Sequence, residues 1–97
     1  MHVNQLPIPP AASADVRAVE LLRVWIANGG QHVSLSTSAW NDPAAWDIML
    51  VDLAKHVASA YQQNAGKDFA ATLNRIKQAF DAEWDTATDQ PSGSLFD

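Results

Sequence analysis

The dipeptide Asn28-Gly29 is the feature that most constrains the fold of this chain. It lies between a β-branched and aromatic run at residues 24–26 and a second run at residues 32–37. Asn-Gly is the preferred pair of a two-residue type I′ loop, because both positions need a positive φ angle. The sequence therefore predicts a β-hairpin over about residues 22–37. The alternative is a helix capped by Gly29 and followed by a single strand, which would have to pair with another subunit.

The predicted register separates the side chains by character. One face carries the apolar residues Leu22, Val24, Ile26, Val33 and Leu35. The other face carries Arg23, Trp25, His32, Ser34 and Ser36. A sheet that is buried on one side requires this separation. Because a two-stranded ribbon is marginally stable alone, we expect the apolar face to pack on a helix.

Two longer helices are predicted after the hairpin. The first begins at Asp42, a natural N-cap that is followed by a proline at the first helical position. Its apolar residues recur every three or four positions: Trp46, Met49, Leu50, Leu53, Val57, Ala60 and Tyr61. Gly66 ends this helix, and Asp68 begins the next one. The short connection predicts an antiparallel pair of helices over about residues 43–64 and 68–85.

The complete prediction is an α+β fold with three sections. Residues 1–12 contain three prolines and form an extended arm. Residues 13–85 form a single α+β domain, whose short N-terminal helix runs over residues 14–22 with Ser13 as its N-cap. Residues 86–97 are polar, contain a proline and a glycine, and form a flexible tail.

Composition excludes several classes of function. The chain has 97 residues, no cysteine and a net charge of -5. Without cysteine there is no thiol catalysis and no cysteine-ligated zinc or iron-sulfur site, and a cytoplasmic location is expected. The acidic charge disfavours nucleic acid, which is bound mainly through clustered Lys and Arg. The N-terminus lacks the pattern of a secretory signal, and no segment is apolar enough to span a membrane.

The hairpin also suggests how the chain associates. Its strand edges have no partner in the predicted fold, so pairing two hairpins across a two-fold axis would give a four-stranded sheet. We therefore predict a homodimer, formed through hairpin edges or helix faces. On the polar sheet face, Arg23, Trp25, His32 and Ser34 combine an aromatic ring with hydrogen-bond donors, which is typical of a protein-binding surface. The alternative is that the proline arm or a dimer mate buries Trp25.

The chain as a whole resembles a bacterial family of domains of unknown function, DUF5076. The resemblance covers about residues 5–85 and rests on the segment ELLRVWIANGGQHVSL and on the pattern from W-x-D-P-A-A-W to H-V-A-x-A-Y. The family implies a small stand-alone domain and has no assigned activity. No catalytic residue is therefore transferred from it.

A second hypothesis is a small-molecule-binding protein or enzyme with a pocket between the hairpin and the helix pair. Asp52 and His56 are four residues apart and can share a helix face, with Tyr61 as a third candidate. No metal site is predicted, because the three histidines lack a recognisable ligand spacing. We also predict no cofactor and no catalytic residue. The leading hypothesis is a non-enzymatic homodimeric module that binds a protein partner or assists regulation.

Overall fold

A computed structural model of the chain describes residues 3–85 and the backbone of residues 95–96. The chain divides into two compact units, which we describe separately. The hairpin unit comprises Met1–Ala39 with Ser92–Asp97, and the helix unit comprises Trp40–Pro91. A short N-terminal helix, an antiparallel hairpin and two longer helices follow in that order, so the predicted α+β fold is confirmed. That residues 13–85 form a single domain stays a prediction.

The β-hairpin has the predicted loop and register. Strand β1 (Leu22–Ala27) pairs antiparallel with β2 (Gly30–Leu35), and Trp25 lies opposite His32. Asn28 and Gly29 have φ angles of 52° and 73°, as a type I′ loop requires. The second strand ends two residues earlier than predicted, at Leu35. The helical alternative for this segment is therefore wrong.

The sheet contains a third, very short strand. Strand β3 (Leu95–Phe96) runs parallel to β2 and pairs with Val33 and Ser34, giving the order β1-β2-β3. This pairing corrects the expectation that both hairpin edges are open. The outer edge of β1 has no strand partner within the described residues. The other residues of the predicted flexible tail lie outside the part of the chain that the structure describes.

The N-terminal helix lies earlier in the chain than predicted. Helix α1 (Pro10–Ala14) begins with a proline at its first position, where a missing N–H costs nothing. Asp15 ends this helix in an extended conformation, so the prediction of a helix that begins after Ser13 is wrong. The Asp15 Oδ1 atom accepts a hydrogen bond of 2.9 Å from the Arg17 backbone N–H. The carboxylate therefore forms a local turn, which competes with a continuing helix.

The helix unit follows its predicted start and stop signals. Asp42 caps a 3-10 turn at Pro43–Ala45 and accepts a 3.0 Å hydrogen bond from the Ala44 N–H. Helix α2 (Trp46–Ala65) follows and ends at Gly66. This glycine forms the C-cap of the helix and has a φ angle of 66°, in the left-handed region. Helix α3 (Phe69–Asp85) begins after Asp68, whose Oδ2 accepts a 2.9 Å hydrogen bond from Ala71 N–H. Within the described residues, no helix combines the length and the apolar character that crossing a bilayer requires.

The core of the helix unit is small. Among the described residues, only Ala58 is fully buried; it lies in α2, and α2 packs against α3. Ala54 lies one turn earlier on the same side of α2 and is half-buried, as are Leu73 and Ile76 on α3. Small side chains let two helices approach closely but bury little apolar area. At the start of the unit, Trp40 and Trp46 pack edge to face, with ring centroids 4.9 Å apart.

Candidate functional site

The polar face of the hairpin brings together all four predicted partner-binding residues. Trp25 lies directly opposite His32, and Arg23 lies directly opposite Ser34. All four side chains are half-buried. Because the two pairs are adjacent on one sheet face, they form a continuous patch, which we call the Trp25 face.

His32 has a defined orientation on the Trp25 face. Its Nε2 atom lies 3.1 Å from the carbonyl oxygen of Ala27, close to the hairpin loop. A carbonyl oxygen only accepts hydrogen bonds, so Nε2 must carry the proton and donate it. In the neutral ring, Nδ1 is then an acceptor, and it becomes a donor when the ring is protonated. The imidazole can therefore offer a directional hydrogen bond beside the indole of Trp25.

Arg23 forms an ion pair with a residue that precedes the strand. Its Nη2 atom lies 2.8 Å from Oε1 and 3.1 Å from Oε2 of Glu20. Both side chains are partly exposed, so solvent screens the pair and its contribution to stability is small. The pair restrains the position of the Arg23 guanidinium group beside Glu20. A three-residue separation indicates an ion pair only within a helix, and Glu20 and Arg23 lie outside the helices, so the sequence pattern did not predict this pair.

The apolar face of the hairpin is largely uncovered in the chain. Val24 is 49% exposed and Ile26 is 77% exposed, although both belong to the face expected to be buried. Leu22, Val33 and Leu35 on the same face are half-buried. Exposed β-branched side chains beside an unpaired sheet edge are typical of surfaces through which proteins associate.

A cleft of 630 Å³ lies beside β1 in the hairpin unit. It is bordered by the arm at residues 4–9, by Ala12 and Ser13 of α1, and by residues 18–20. On its other side it is lined by Leu22, Arg23, Val24 and Trp25. Its size falls within the range of small-molecule sites, and its walls are mostly apolar. The prediction from sequence missed this cleft because no local pattern encodes how the arm lies beside the strand.

The proposed pocket residues Asp52, His56 and Tyr61 are all exposed on α2. Asp52 and His56 lie in the described part of the chain, and no hydrogen bond or ion pair joins them there. At 3.6 residues per turn, Tyr61 lies about 140° around the helix from His56, so the three side chains do not share one face. None of them lines the cleft beside β1. The role of these residues stays a prediction.

Helix α2 carries a second uncovered apolar surface. Leu50, Leu53, Val57 and Tyr61 repeat at intervals of three and four, and each is between 39% and 49% exposed. We call this surface the α2 stripe.

In the described residues there is no group of three or more acidic or histidine side chains that could hold a metal ion.

Comparison with known proteins gives a family and a structural neighbour. A solved structure from the photosynthetic bacterium Rhodopseudomonas palustrus, described as a candidate pyruvate dehydrogenase, is 33% identical in sequence with a TM-score of 0.70. The match covers 91% of this chain and 90% of that chain. No curated protein shows significant similarity. The model of the domain of unknown function DUF5076 matches residues 5–88, and the chain therefore belongs to that family.

Proposed function

We propose that this protein is a non-enzymatic homodimeric module that binds a protein partner through its Trp25 face. The proposal rests on the exposure of large apolar side chains in both units. Among the described residues, Ala58 alone is fully buried. A domain of this kind gains most of its stability from apolar area removed from water. A second copy of the chain supplies that cover.

The exposed area of the α2 stripe indicates how much free energy is gained when a second copy covers it. Burying a large aliphatic or aromatic side chain completely contributes about 1.5–3 kcal/mol, so covering four half-exposed ones contributes on the order of 4 kcal/mol per chain. Two copies double that figure, before the cost of ordering the interface. The lost translational and rotational freedom costs about 4–15 kcal/mol, so a dissociation constant near 1 μM, which needs a net association of about 8 kcal/mol, requires buried area beyond the α2 stripe.

The dimer is tested by light scattering after size-exclusion chromatography at micromolar concentration. The expected molar mass is twice that of the chain, and a monomer would refute the homodimer. Val57→Glu places a charge in the α2 stripe and should weaken association at least tenfold. Gln63→Glu is the matched control, because it adds the same charge at an exposed position of α2 outside the stripe. Equal weakening by both variants would remove the stripe from the interface.

Partner binding is tested on variants of the Trp25 face, and the dimer content of each variant is measured in parallel by light scattering. Trp25→Ala and His32→Ala should reduce the amount of partner recovered with the tagged protein, while the circular dichroism spectrum stays unchanged. Both changes remove a side chain that contributes directly to the Trp25 face. Lys55→Ala on exposed α2 is the control, and recovery should match the wild type. Undiminished recovery by the Trp25 and His32 variants would contradict this function of the Trp25 face.

A second candidate function is small-molecule binding, which the cleft beside β1 favours by its volume and apolar walls. The structural neighbour is described as a candidate pyruvate dehydrogenase, so pyruvate is the first compound to test. Heteronuclear NMR with pyruvate would show shifts confined to residues 4–9 and 18–25 if the cleft binds it. Pyruvate-dependent NADH formation by the purified protein would contradict the non-enzymatic proposal. The absence of both effects would leave the protein-interaction function favoured.

A further inference from the structure

We propose that the open edge of β1 pairs antiparallel with β1 of a second copy, with the two-fold axis at Val24. This inference rests on the proposed homodimer and specifies a contact of the hairpin unit in it, with its register, which is distinct from the contact at the α2 stripe. It joins two three-stranded sheets into one, because β1 is the terminal strand on the side opposite β3.

The hydrogen-bonding pattern shows which backbone groups the edge presents. In an antiparallel pair, successive residues point their N–H and C=O groups alternately toward and away from the partner strand. Ser36 N–H donates to the Leu21 carbonyl at 2.9 Å, so Leu21 points toward β2. By alternation, Arg23, Trp25 and Ala27 also point toward β2. Leu22, Val24 and Ile26 therefore direct their backbone groups away from β2, toward the open edge.

The cleft beside β1 lies along this edge of the strand. Neighbouring side chains of a strand point to opposite faces of the sheet. A cavity that touches four consecutive residues, 22–25, must therefore lie along the strand edge rather than over one face. Pro7 and Pro9 in the bordering arm have no backbone N–H, so the arm is poorly suited to fill this edge as a strand.

The sequence of β1 complements itself in the proposed register. Val24 lies opposite Val24 of the second copy, and Leu22 lies opposite Ile26, so the apolar faces of the two sheets become continuous. On the other face, Arg23 lies opposite Trp25 of the second copy, and the pair occurs twice because of the symmetry. A guanidinium group can stack on an indole ring while its edge stays bonded to a carboxylate, here that of Glu20.

The neighbouring symmetric registers are less favourable. An axis at Arg23 places two guanidinium groups directly opposite each other, and like charges in that position destabilise a sheet. An axis at Trp25 stacks the two indoles but places each Arg23 opposite Ala27, which removes the cation–π pair. The proposed axis at Val24 is the register in which every pair is apolar or complementary.

Single-cysteine crosslinking tests this register directly, because the chain has no cysteine of its own. Val24→Cys places two thiols on the axis, where opposing Cα atoms are about 5.5 Å apart, within disulfide range. Ile26→Cys is the matched control, since the two copies of residue 26 lie four positions apart along the strands, about 13 Å. In a mild thiol redox buffer, Val24→Cys should form a covalent dimer at least tenfold faster than Ile26→Cys.

If exposure alone set the crosslinking rate, Ile26→Cys would react faster than Val24→Cys, because Ile26 is 77% exposed and Val24 is 49% exposed. Faster or equal crosslinking of Ile26→Cys would therefore overturn the proposed register. Trp25→Ala should also weaken the wild-type dimer about five- to thirtyfold, since it removes two cation–π pairs. An unchanged dissociation constant would contradict the Arg23 to Trp25 contact.

Crosslinking and light scattering together distinguish a failure of the edge pairing from a failure of the proposed homodimer. Light scattering of reduced Val24→Cys reports whether the protein dimerises at all. A dimer that does not crosslink at residue 24 would retain the homodimer and overturn the edge pairing. A monomer in the reduced variant and in the wild type would overturn both.

Discussion

The hairpin unit and the helix unit are stabilised in different ways. The hairpin depends on a two-residue loop, in which Asn28 and Gly29 adopt positive φ angles, and on backbone pairs between two strands. The helix pair depends on hydrogen bonds within each helix, on caps at Asp42, Gly66 and Asp68, and on one buried alanine. Conformation at the loop determines the pairing in the first unit, and side-chain volume at the helix contact limits the packing in the second.

The two units share one property, which is more informative than their differences. Each forms its secondary structure from local signals, and each leaves an apolar surface exposed in the chain: Val24 and Ile26 in one unit and the α2 stripe in the other. Local signals are thus sufficient for the hairpin and the two longer helices, whereas the described residues include too few buried side chains to account for a stable core. Association is the physical reason that we propose for this combination.

The largest effect on the free energy of unfolding is expected at Ala58. Ala58→Leu should destabilise the protein by about 1–3 kcal/mol, because the extra methylene groups overpack a side chain that is fully buried. Ala79→Leu, at an exposed position of α3, should change stability by less than about 0.5 kcal/mol. Urea unfolding of the two variants measures the difference. Equal stability would show that volume at Ala58 does not limit the packing.

A somewhat smaller effect is expected in the hairpin loop. Gly29→Val should cost about 1–2 kcal/mol, because a β-branched residue is forced into left-handed backbone space. No atom lies within 4 Å of the added Cβ, so the cost is conformational and not steric contact. Asn28→Gly is the control and should be nearly neutral. Hydrogen exchange should show lower protection in β1 and β2, and unchanged exchange there would contradict the role of the loop.

The cap of α3 is expected to have an effect of similar or smaller size, confined to the helix unit. Asp68→Ala removes the 2.9 Å hydrogen bond to the Ala71 N–H and should cost about 0.5–2 kcal/mol. Asp68→Asn retains an acceptor at the cap and should recover most of that loss. Hydrogen exchange of α3 amides reports the change. A larger effect in the hairpin than in α3 would contradict the separate stabilisation of the two units.

The smallest effect is expected at the exposed ion pair on α3. The Asp81 carboxylate accepts a 2.8 Å hydrogen bond from the Lys77 ammonium and raises the pKa of Lys77 above its ordinary value of 10.5. A raised pKa stabilises the folded protein below that ordinary value, and the contribution is lost as the pH rises through the folded value. Lys77→Gln should therefore leave the melting temperature unchanged within error, with no new pH dependence near neutrality. A clear decrease would show that this pair does more than an ordinary surface ion pair.

The sequence was informative wherever one residue type is required by the backbone. The preference of Asn28-Gly29 for positive φ angles predicted a hairpin over about residues 22–37 and the pairing of Trp25 with His32, and the structure has this pairing with a second strand that ends at Leu35. The same reasoning failed at α1, because Ser13 and Asp15 are common both as helix caps and in turns. The proline at position 10 was the better indicator of where that helix begins.

The candidate site was predictable in part for the same reason. Alternation along two strands is enough to place Arg23, Trp25, His32 and Ser34 on one face once the loop is known. The cleft beside β1 and the exposure of Val24 could not be inferred, because they depend on where residues 4–9 lie. Nothing in the local pattern of Asp52, His56 and Tyr61 indicates whether a ligand uses them.

The sequence by itself determined the hairpin, the two longer helices and their order, the hairpin register and the separation of its two faces, because these follow from backbone conformation and side-chain periodicity. Only the tertiary structure decided that β3 covers part of the β2 edge, that the β1 edge borders a cleft, and that Ala58 is the fully buried side chain among the described residues. These features depend on contacts between segments far apart in the chain, for which local propensity carries no information.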